Sequence, residues 1–92
     1  MNAVKAQKFL TINAVAGEVY QINYEAPHTI SIINDTDGGI TISDKETFSD
    51  GGTFSNCIRL PADSYYNNLQ IPFNSFCISV EESGYISVVT VE

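Results

Sequence analysis

The chain has 92 residues, 43% of them hydrophobic, and its four Lys and Arg against eleven Asp and Glu give a net charge of −7. That length predicts a single domain over residues 1–92. So few basic side chains argue against nucleic acid, which is bound by neutralising phosphates, and against an anionic membrane surface. No apolar run is long enough for a signal peptide or a membrane-spanning helix, so we expect a protein that is not secreted.

The residue types favour β-structure. Ile, Val and Thr together supply 25 residues whereas Leu supplies three, and β-branched side chains suit the pleated surface of a sheet. Alternating apolar and polar residues between turn residues predict eight segments: 9–13, 19–24, 28–34, 40–43, 56–60, 65–71, 75–81 and 85–91. The polar-aromatic segment 65–71 predicts either an edge strand or a loop. Seven to eight strands without a helix indicate a single antiparallel β-sandwich, jelly-roll or immunoglobulin-like.

Two places in this pattern need a specific explanation. Residues 34–39 contain Asp-Gly and Gly-Gly steps, which accept positive φ, and they predict a tight hairpin that ends in the strand 40–43. In the last segment Ile86 and Val88 share one phase whereas Val89 shares the other with Val91, which predicts a β-bulge or a strand buried on both faces. The charged, Gly-containing stretch 44–53 predicts a long loop.

The sequence offers little catalytic or metal-binding chemistry. His28 is the only histidine, and without a nucleophile motif beside it a solvent-facing or turn-capping role is favoured over catalysis. Asp35 and Asp37 share a phase before two glycines, which raises calcium binding together with Asp44 or Asp50, but the ligand spacing is not that of an EF-hand and a turn explains these residues. We therefore predict no catalytic residue, no cofactor and no resident metal.

Cys57 and Cys77 each precede an Ile in the inward phase, so both thiols are predicted to face away from the main apolar stripe. If their strands are neighbours, a disulfide is geometrically possible and would contribute about 3 kcal/mol. The lack of a secretion signal favours the other reading, in which the cysteines are free and partly covered by another strand or a subunit.

Tyr65, Tyr66, Asn67 and Asn68 form the most interaction-like patch of the chain. Tyr supplies rigid contact area and Asn supplies adaptable hydrogen bonds, a pairing found in binding surfaces and sugar sites. The structural alternative is that one Tyr packs inward while the other covers a sheet edge. We predict that this patch and the region around Cys57 and Cys77 form a contact surface.

Segments 30–43, 56–69 and 84–89 resemble small β-sandwich proteins encoded in bacteriophage and prophage structural clusters. In that group a segment N-x-T-x-x-x-I-x-I-S, here beginning at Asn34, is followed by L-P-A-x-x-x-Y-N, here beginning at Leu60, and by a short terminal strand. The resemblance implies a non-enzymatic virion component made in the host cytoplasm: a head decoration, head fibre, neck or tail accessory subunit. It also implies partners, namely copies of itself and other virion proteins.

Two other functions stay open at this stage. The first is a carbohydrate- or ligand-binding module that uses the patch from Tyr65 to Asn68, with calcium at Asp35 and Asp37. The second is an enzyme with a His28–Cys pair. Five of the eleven acidic residues fall within residues 35–50, so we expect the negative charge to be concentrated in the predicted hairpin and the long loop, at one end of the sandwich.

Overall fold

A computed structural model describes residues 2–24, 28–43, 57–71 and 75–91. Within these ranges the chain is all-β, and no helix there is long and apolar enough to span a membrane. Its strands are β1 (Asn2–Lys5), β2 (Phe9–Ala14), β3 (Val19–Asn23), β4 (His28–Thr36), β5 (Ile40–Ser43), β6 (Cys57–Leu60), β7 (Ser64–Ile71), β8 (Ser75–Val80) and β9 (Gly84–Thr90).

The strands form two sheets. The five-stranded sheet has the order β1-β3-β8-β5-β6 and the four-stranded sheet the order β2-β9-β4-β7. The pairs β2–β9, β3–β8, β4–β7 and β5–β6 are antiparallel. Strands β2 to β5 thus pair with strands β9 to β6, in that order. The further antiparallel pairs β4–β9 and β5–β8 assemble these ribbons into sheets. Among the nine described strands, β5 and β6 are the one successive pair whose members lie in the same sheet.

The core lies between the two sheets and is built by strict alternation. In β2 the burial alternates from exposed Phe9 to buried Ala14 without a break, as a period of two residues requires when one face of a strand is covered. The core is almost entirely aliphatic, with the aromatic rings of Tyr20 and Phe76. Its members are Leu10, Ile12, Ala14, Tyr20, Ile22, Ile30, Ile32, Ile40, Ile42, Leu60, Phe76, Ile78, Val80, Ile86 and Val88.

Strand β1 was not predicted. Of its residues only Val4 is partly buried and packs against the core, so the short segment has too little alternation to be recognised. It pairs with β3 in parallel, with Val4 opposite Ile22, whereas the other strand pairs among the described residues are antiparallel. The expected all-antiparallel sandwich of seven to eight strands therefore gains a parallel edge strand.

The predicted hairpin at residues 34–39 is wrong. β4 lies in the four-stranded sheet and β5 in the five-stranded sheet, so the turn carries the chain from one sheet to the other. Neither Gly38 nor Gly39 has a positive φ. They are close-approach positions instead: a Cβ at Gly38 would lie 2.7 Å from Glu82 Cγ, and one at Gly39 would meet the guanidinium of Arg59.

Four turns, at residues 15–18, 37–39, 61–63 and 81–83, lie together at one end of the sandwich, which we call the turn end. Backbone hydrogen bonds join them: Gly17 N–H donates to Val80 O, Asp37 N–H to Ser83 O and Asp63 N–H to Asn34 O, at 2.8, 3.2 and 2.9 Å. Each bond extends a strand ladder into the turns: β3–β8 in the five-stranded sheet, and β4–β9 and β4–β7 in the four-stranded sheet. The turns are therefore held by backbone hydrogen bonds within each sheet.

Asn34 is the hub of the turn end. Its side chain is fully buried, and its amide nitrogen lies 2.9, 3.0 and 3.0 Å from the carbonyl oxygens of Gly38, Leu60 and Pro61. Its oxygen accepts from the backbone N–H and the hydroxyl of Thr36, at 2.9 and 2.6 Å. A buried amide that satisfies both its donors and its acceptor holds three segments together without an unpaired polar group.

Gly84 begins β9 at the same end, and its backbone requires glycine. Its φ is +148°, in a region that side chains rarely adopt. A Cβ there would lie 2.5 Å from the Cα of Thr36, its partner on β4. The strand pair β4–β9 can therefore close at the turn end only because residue 84 has no side chain.

Candidate interaction surface

The outward side of the four-stranded sheet carries exposed apolar side chains. Phe9, Ile33, Tyr65 and Tyr85 are 70%, 40%, 66% and 56% exposed, and Val89 is half-buried. We call these five residues the outer apolar face. Phe9 pairs with Val89 across β2 and β9, and Ile33 pairs with Tyr65 across β4 and β7. Scattered apolar residues are normal on a surface, but here they converge on one side of one sheet.

The sequence contained a signal for this face that the prediction misassigned. The phase of Val89 predicts a bulge or burial on both faces of the last strand, and both predictions are wrong. β9 pairs with β2 and with β4 without any shift in register, so it has no bulge. Its outward side is not buried, since Tyr85 is 56% exposed and Val91, just after the strand, is 48% exposed. Tyr85 and Val89 lie on the outward side of β9, on either side of the polar Ser87; Tyr85 is exposed and Val89 is half-buried. Phe9 and Tyr85 were not predicted, although each has the phase opposite to the neighbouring core residue.

The predicted patch of residues 65–68 lies on β7, which is an edge strand of the four-stranded sheet. Tyr65, Tyr66, Asn67 and Asn68 are all exposed. Tyr65 points outward beside Ile33, whereas Tyr66 lies opposite the fully buried Ile32 and is 39% exposed at the sheet margin. The exposure that a contact surface requires is present, and the contact role stays a prediction.

A β-bulge interrupts this edge strand. Ile30 pairs with Leu69 and Ile32 with Tyr66, so two residues of β7, Asn67 and Asn68, oppose the single residue Ser31. Asn68 has a φ of +59°, the left-handed conformation that Asn tolerates better than other side chains. The bulge bends the edge and removes the flat ladder with which another strand would pair.

Charges lie at opposite ends of the outer apolar face. The ammonium of Lys8 lies 5.9 Å from the centre of the Phe9 ring, at the end away from the turns. Asp35 is exposed and pairs with Tyr85, next to the turn end. The middle of the face holds polar but uncharged neighbours, Thr11, Ser31 and Ser87.

The outward side of the five-stranded sheet is different. Its central strand β8 places Cys77 between Gln21 on β3 and Ser43 on β5. Cys77 and Ser43 have no exposed surface, and Ser75 is 8% exposed. Small polar residues are therefore buried on this side, whereas apolar residues are exposed on the other.

This placement corrects the interpretation of the cysteines. Cys77 is buried, with no exposed surface, and is not on an accessible contact surface. Cys57 and Cys77 both pair with Ser43, from opposite sides, so a whole strand separates them. Two strand spacings put their Cα atoms roughly 9.6 Å apart, beyond the limit of about 7 Å for a disulfide. The side chain of Cys57 lies outside the described residues.

The other candidate residues do not converge on a site. His28 begins β4 in the four-stranded sheet, whereas Cys77 lies on β8 of the five-stranded sheet. The side chain of His28 lies outside the described residues, so a His28–Cys pair stays a hypothesis. Asp35 and Asp37 are exposed, and among residues 2–24, 28–43, 57–71 and 75–91 no three His, Cys, Asp or Glu side chains gather as metal ligands. Asp44 and Asp50 lie outside those ranges.

The predicted concentration of negative charge at one end of the sandwich is found in part. The six acidic residues that the structure describes are all at the turn end: Glu18, Asp35, Asp37, Asp63, Glu81 and Glu82. β5 then leads away from this end, since Ile40 pairs with Val80 and Ser43 with Cys77. The long stretch from residue 44 thus starts at the opposite end of β5 from Asp37, and its acidic residues lie outside the described ranges.

One ion pair crosses the surface of the turn end. Arg59 donates from Nε and Nη2 to the two carboxylate oxygens of Glu81, at 2.9 and 3.0 Å. The hydrogen bond from Arg59 is the main cause that lowers the pKa of Glu81. Both side chains are about half exposed, at 56% and 48%, so solvent screens the pair.

An open groove of about 390 Å³ lies at the end away from the turns, between Ala6, Lys8, Tyr24 and Thr90. Tyr24 stacks on Phe76, with 6.0 Å between ring centres, and burial is the main cause that raises its pKa. The Thr90 hydroxyl lies 3.3 Å from the Tyr24 oxygen. This polar contact ties Tyr24 to β9.

No protein-family model matches the chain, and no curated protein or solved structure is significantly similar to it.

Proposed function

We propose that the chain is a non-enzymatic virion protein of the bacteriophage type, a head, neck or tail accessory subunit that acts by assembly. The observation that carries the proposal is the outer apolar face. Phe9, Ile33, Tyr65 and Tyr85 are each 40% exposed or more, although the same sheet buries its other side well. Contiguous exposed apolar residues mark surfaces that bind other macromolecules.

We propose further that the sandwich is a jelly roll. The antiparallel pairs β2–β9, β3–β8, β4–β7 and β5–β6 support this, because a double Greek key of eight strands pairs the first with the last and proceeds inward. An immunoglobulin-like domain places its first two strands side by side in one sheet, whereas β2 and β3 lie in different sheets. Viral capsid domains are among the proteins that use jelly rolls, which agrees with the proposed role.

The two segments that resemble phage structural proteins also meet in the fold. Asn34, in the first segment, donates to the carbonyl oxygens of Leu60 and Pro61, in the second. The resemblance is therefore carried by residues that close the turn end. It supports a shared way of folding, and the role in a virion is the further step that we propose.

The test is to look for the chain in particles. Virions from the host that carries the gene would be purified on a density gradient and quantified by mass spectrometry. We expect peptides of this chain at a fixed ratio to the major capsid or tail protein. Peptides that stay at the top of the gradient, or capsid and tail genes that are absent from the neighbourhood of the gene, would contradict the proposal.

A ligand-binding module is the second candidate, and the exposed bulge at Asn67 and Asn68 favours it. The bulge presents two amide side chains beside the exposed ring of Tyr65, and aromatic rings with amides are common in sugar sites. A glycan array with and without a chelator tests this candidate. Binding that disappears in Tyr65→Ala would support it, and the absence of any hit at millimolar ligand would remove it.

A further inference from the structure

We infer that the outer apolar face packs against the same face of a second copy of this chain, with the strands of the two copies running in opposite senses. The inference rests on the proposed function, because it names the first partner in assembly. It concerns the side of the four-stranded sheet that carries Phe9, Ile33, Tyr65, Tyr85 and Val89.

The broad side of the molecule is large enough for the interface of a stable dimer. The molecule measures 29 × 28 × 21 Å, and the shortest dimension fits two sheets about 10 Å apart with their outward side chains. The broad side then offers on the order of 800 Å², which is the area that each partner buries in a standard interface. Two sheets packed in this way would interdigitate the outward side chains as the core does.

The charge of the chain decides where two copies can meet. Each copy carries −7, so contact is least costly where the surface is uncharged. The middle of the outer apolar face meets this condition, with Ile33 and Tyr65 in one row with the hydroxyl-bearing Thr11 and Ser87. The turn end does not, because it carries the six described acidic residues.

The charges of the face itself select the orientation. Lys8 lies at one end, beside Phe9, and Asp35 at the other, beside Tyr85. A two-fold axis along the strands would bring the two Asp35 ends together, and like charges across an interface are unfavourable. An axis in the plane of the face and across the strands places the Lys8 end of each copy by the Asp35 end of the other.

The edge of the sheet is a less suitable contact. A dimer could also form by strand addition at β7, but Asn67 and Asn68 form a bulge there, and Asn68 is in the left-handed conformation. A bulged strand does not present a regular row of donors and acceptors. We therefore infer that the copies pair through the broad side and not by extending the sheet.

The test is the mass of the purified chain in solution, measured by sedimentation equilibrium over a range of concentrations. We expect a particle of twice 10.1 kDa. Ile33→Lys places a charge in the middle of the face and should raise the dimer Kd at least about tenfold. Val15→Lys is the matched control, since Val15 is 54% exposed but lies in a turn, and it should remain a dimer.

A second set of variants tests the orientation. Lys8→Glu and Asp35→Lys should each raise the dimer Kd about three- to tenfold, because each gives both ends of the face the same sign. The double variant restores opposite signs and should recover most of the affinity. Additive losses in the double variant would overturn the inferred orientation. Circular dichroism of every variant shows that the fold is kept, and Tyr85→Lys replaces Ile33→Lys if that variant does not fold.

The outcomes separate this inference from the proposed function. A wild-type monomer at about 100 µM would overturn self-pairing, since a standard interface binds more tightly. If that monomer is still found in virions and Ile33→Lys is lost from them, the face binds another virion protein and the proposed function stands. A dimer that is absent from virions supports self-pairing and contradicts the proposed function.

Discussion

The turn end closes one end of the sandwich and the outer apolar face covers one of its sheets, and the two regions are built in opposite ways. At the turn end a polar side chain, Asn34, is fully buried and a glycine, Gly84, occupies a position that admits no side chain. On the outer apolar face large apolar residues are exposed and make few contacts within the chain. The unusual residues of the turn end stabilise the fold. The exposed apolar residues of the outer apolar face do not belong to the core, and we therefore assign them to contact with a partner.

Gly84→Ala is the strongest test of this difference. A Cβ at residue 84 would lie 2.5 Å from the Cα of Thr36, and φ is +148°. Backbone strain and the forced shift of β4 should together lower the free energy of unfolding by about 3 to 5 kcal/mol. Urea unfolding followed by circular dichroism measures the change. A loss below 1 kcal/mol would mean that the turn end is not as closely packed as described.

Asn34→Ala should have the next largest effect. The substitution removes the donor for the carbonyls of Gly38, Leu60 and Pro61 and the acceptor for Thr36. Buried groups left without partners cost about 2 to 4 kcal/mol together. Asn13→Ala, on the exposed side of β2, is the control and should change the stability by less than about 0.5 kcal/mol. Equal losses in the two variants would contradict the role of Asn34 as a hub.

Asn68→Val probes the edge strand β7, beside the outer apolar face and away from the turn end. Asn68 has a φ of +59° in the bulge of β7, where a β-branched residue should cost about 1 to 2 kcal/mol. Asn68→Gly should be neutral or slightly stabilising in the same unfolding experiment, because glycine adopts this conformation freely. If Asn68→Val has the same free energy of unfolding as the wild type, β7 does not form the bulge in that variant.

The Arg59–Glu81 ion pair lies at the turn end but is exposed. It therefore tests whether substitutions there lower the free energy of unfolding because the residues are buried. Arg59 lowers the pKa of Glu81 in the folded chain, so the pair contributes stability above the unfolded pKa and loses it as pH falls through the lower folded value. Arg59→Ala should therefore be slightly less stable than the wild type at pH 7, and the difference should shrink as the pH falls through the lowered pKa of Glu81. A difference that stays constant as the pH falls would mean that Arg59 contributes through packing.

The smallest effect on stability is expected on the outer apolar face. Ile33→Lys replaces a side chain that is 40% exposed, and such surface changes usually alter the free energy of unfolding by about 0.5 kcal/mol or less. The measurement is made at low concentration, where dimers dissociate. A large loss would show that Ile33 supports the fold of the single chain, and the assignment of the face to a partner would lose its basis.

Local pattern predicted the strands well. The eight segments of alternating or apolar residues correspond to β2 through β9, and the inward phases of Leu10, Tyr20 and Ile30 are confirmed. Alternation is a property of neighbouring residues, so it is visible in sequence. β1 was missed because Val4 alone carries its pattern and because its stability comes from pairing with β3.

Partner choice between strands was not predictable in the same way. Residues 34–39 have the composition of a hairpin turn, but Asn34 finds its partners at Leu60 and Pro61, 26 and 27 residues away. Those contacts are decided by the packing of the two sheets, which local propensity does not contain. For the same reason only part of the outer apolar face was predicted. Tyr65 and Tyr66 are adjacent in the sequence and indicate a contact surface. Phe9 and Tyr85 come onto one face only when β2 and β9 pair.

The position of β9 has a consequence for the order of folding. β9 follows the other described strands in the chain, yet it lies between β2 and β4, and its pairing joins Phe9 to Val89. Until it is in place, β2 and β4 have no common neighbour and the apolar side chains of both are open to water. Folds dominated by such distant pairings form in milliseconds to seconds. Closure of the four-stranded sheet therefore depends on the last described strand of the chain.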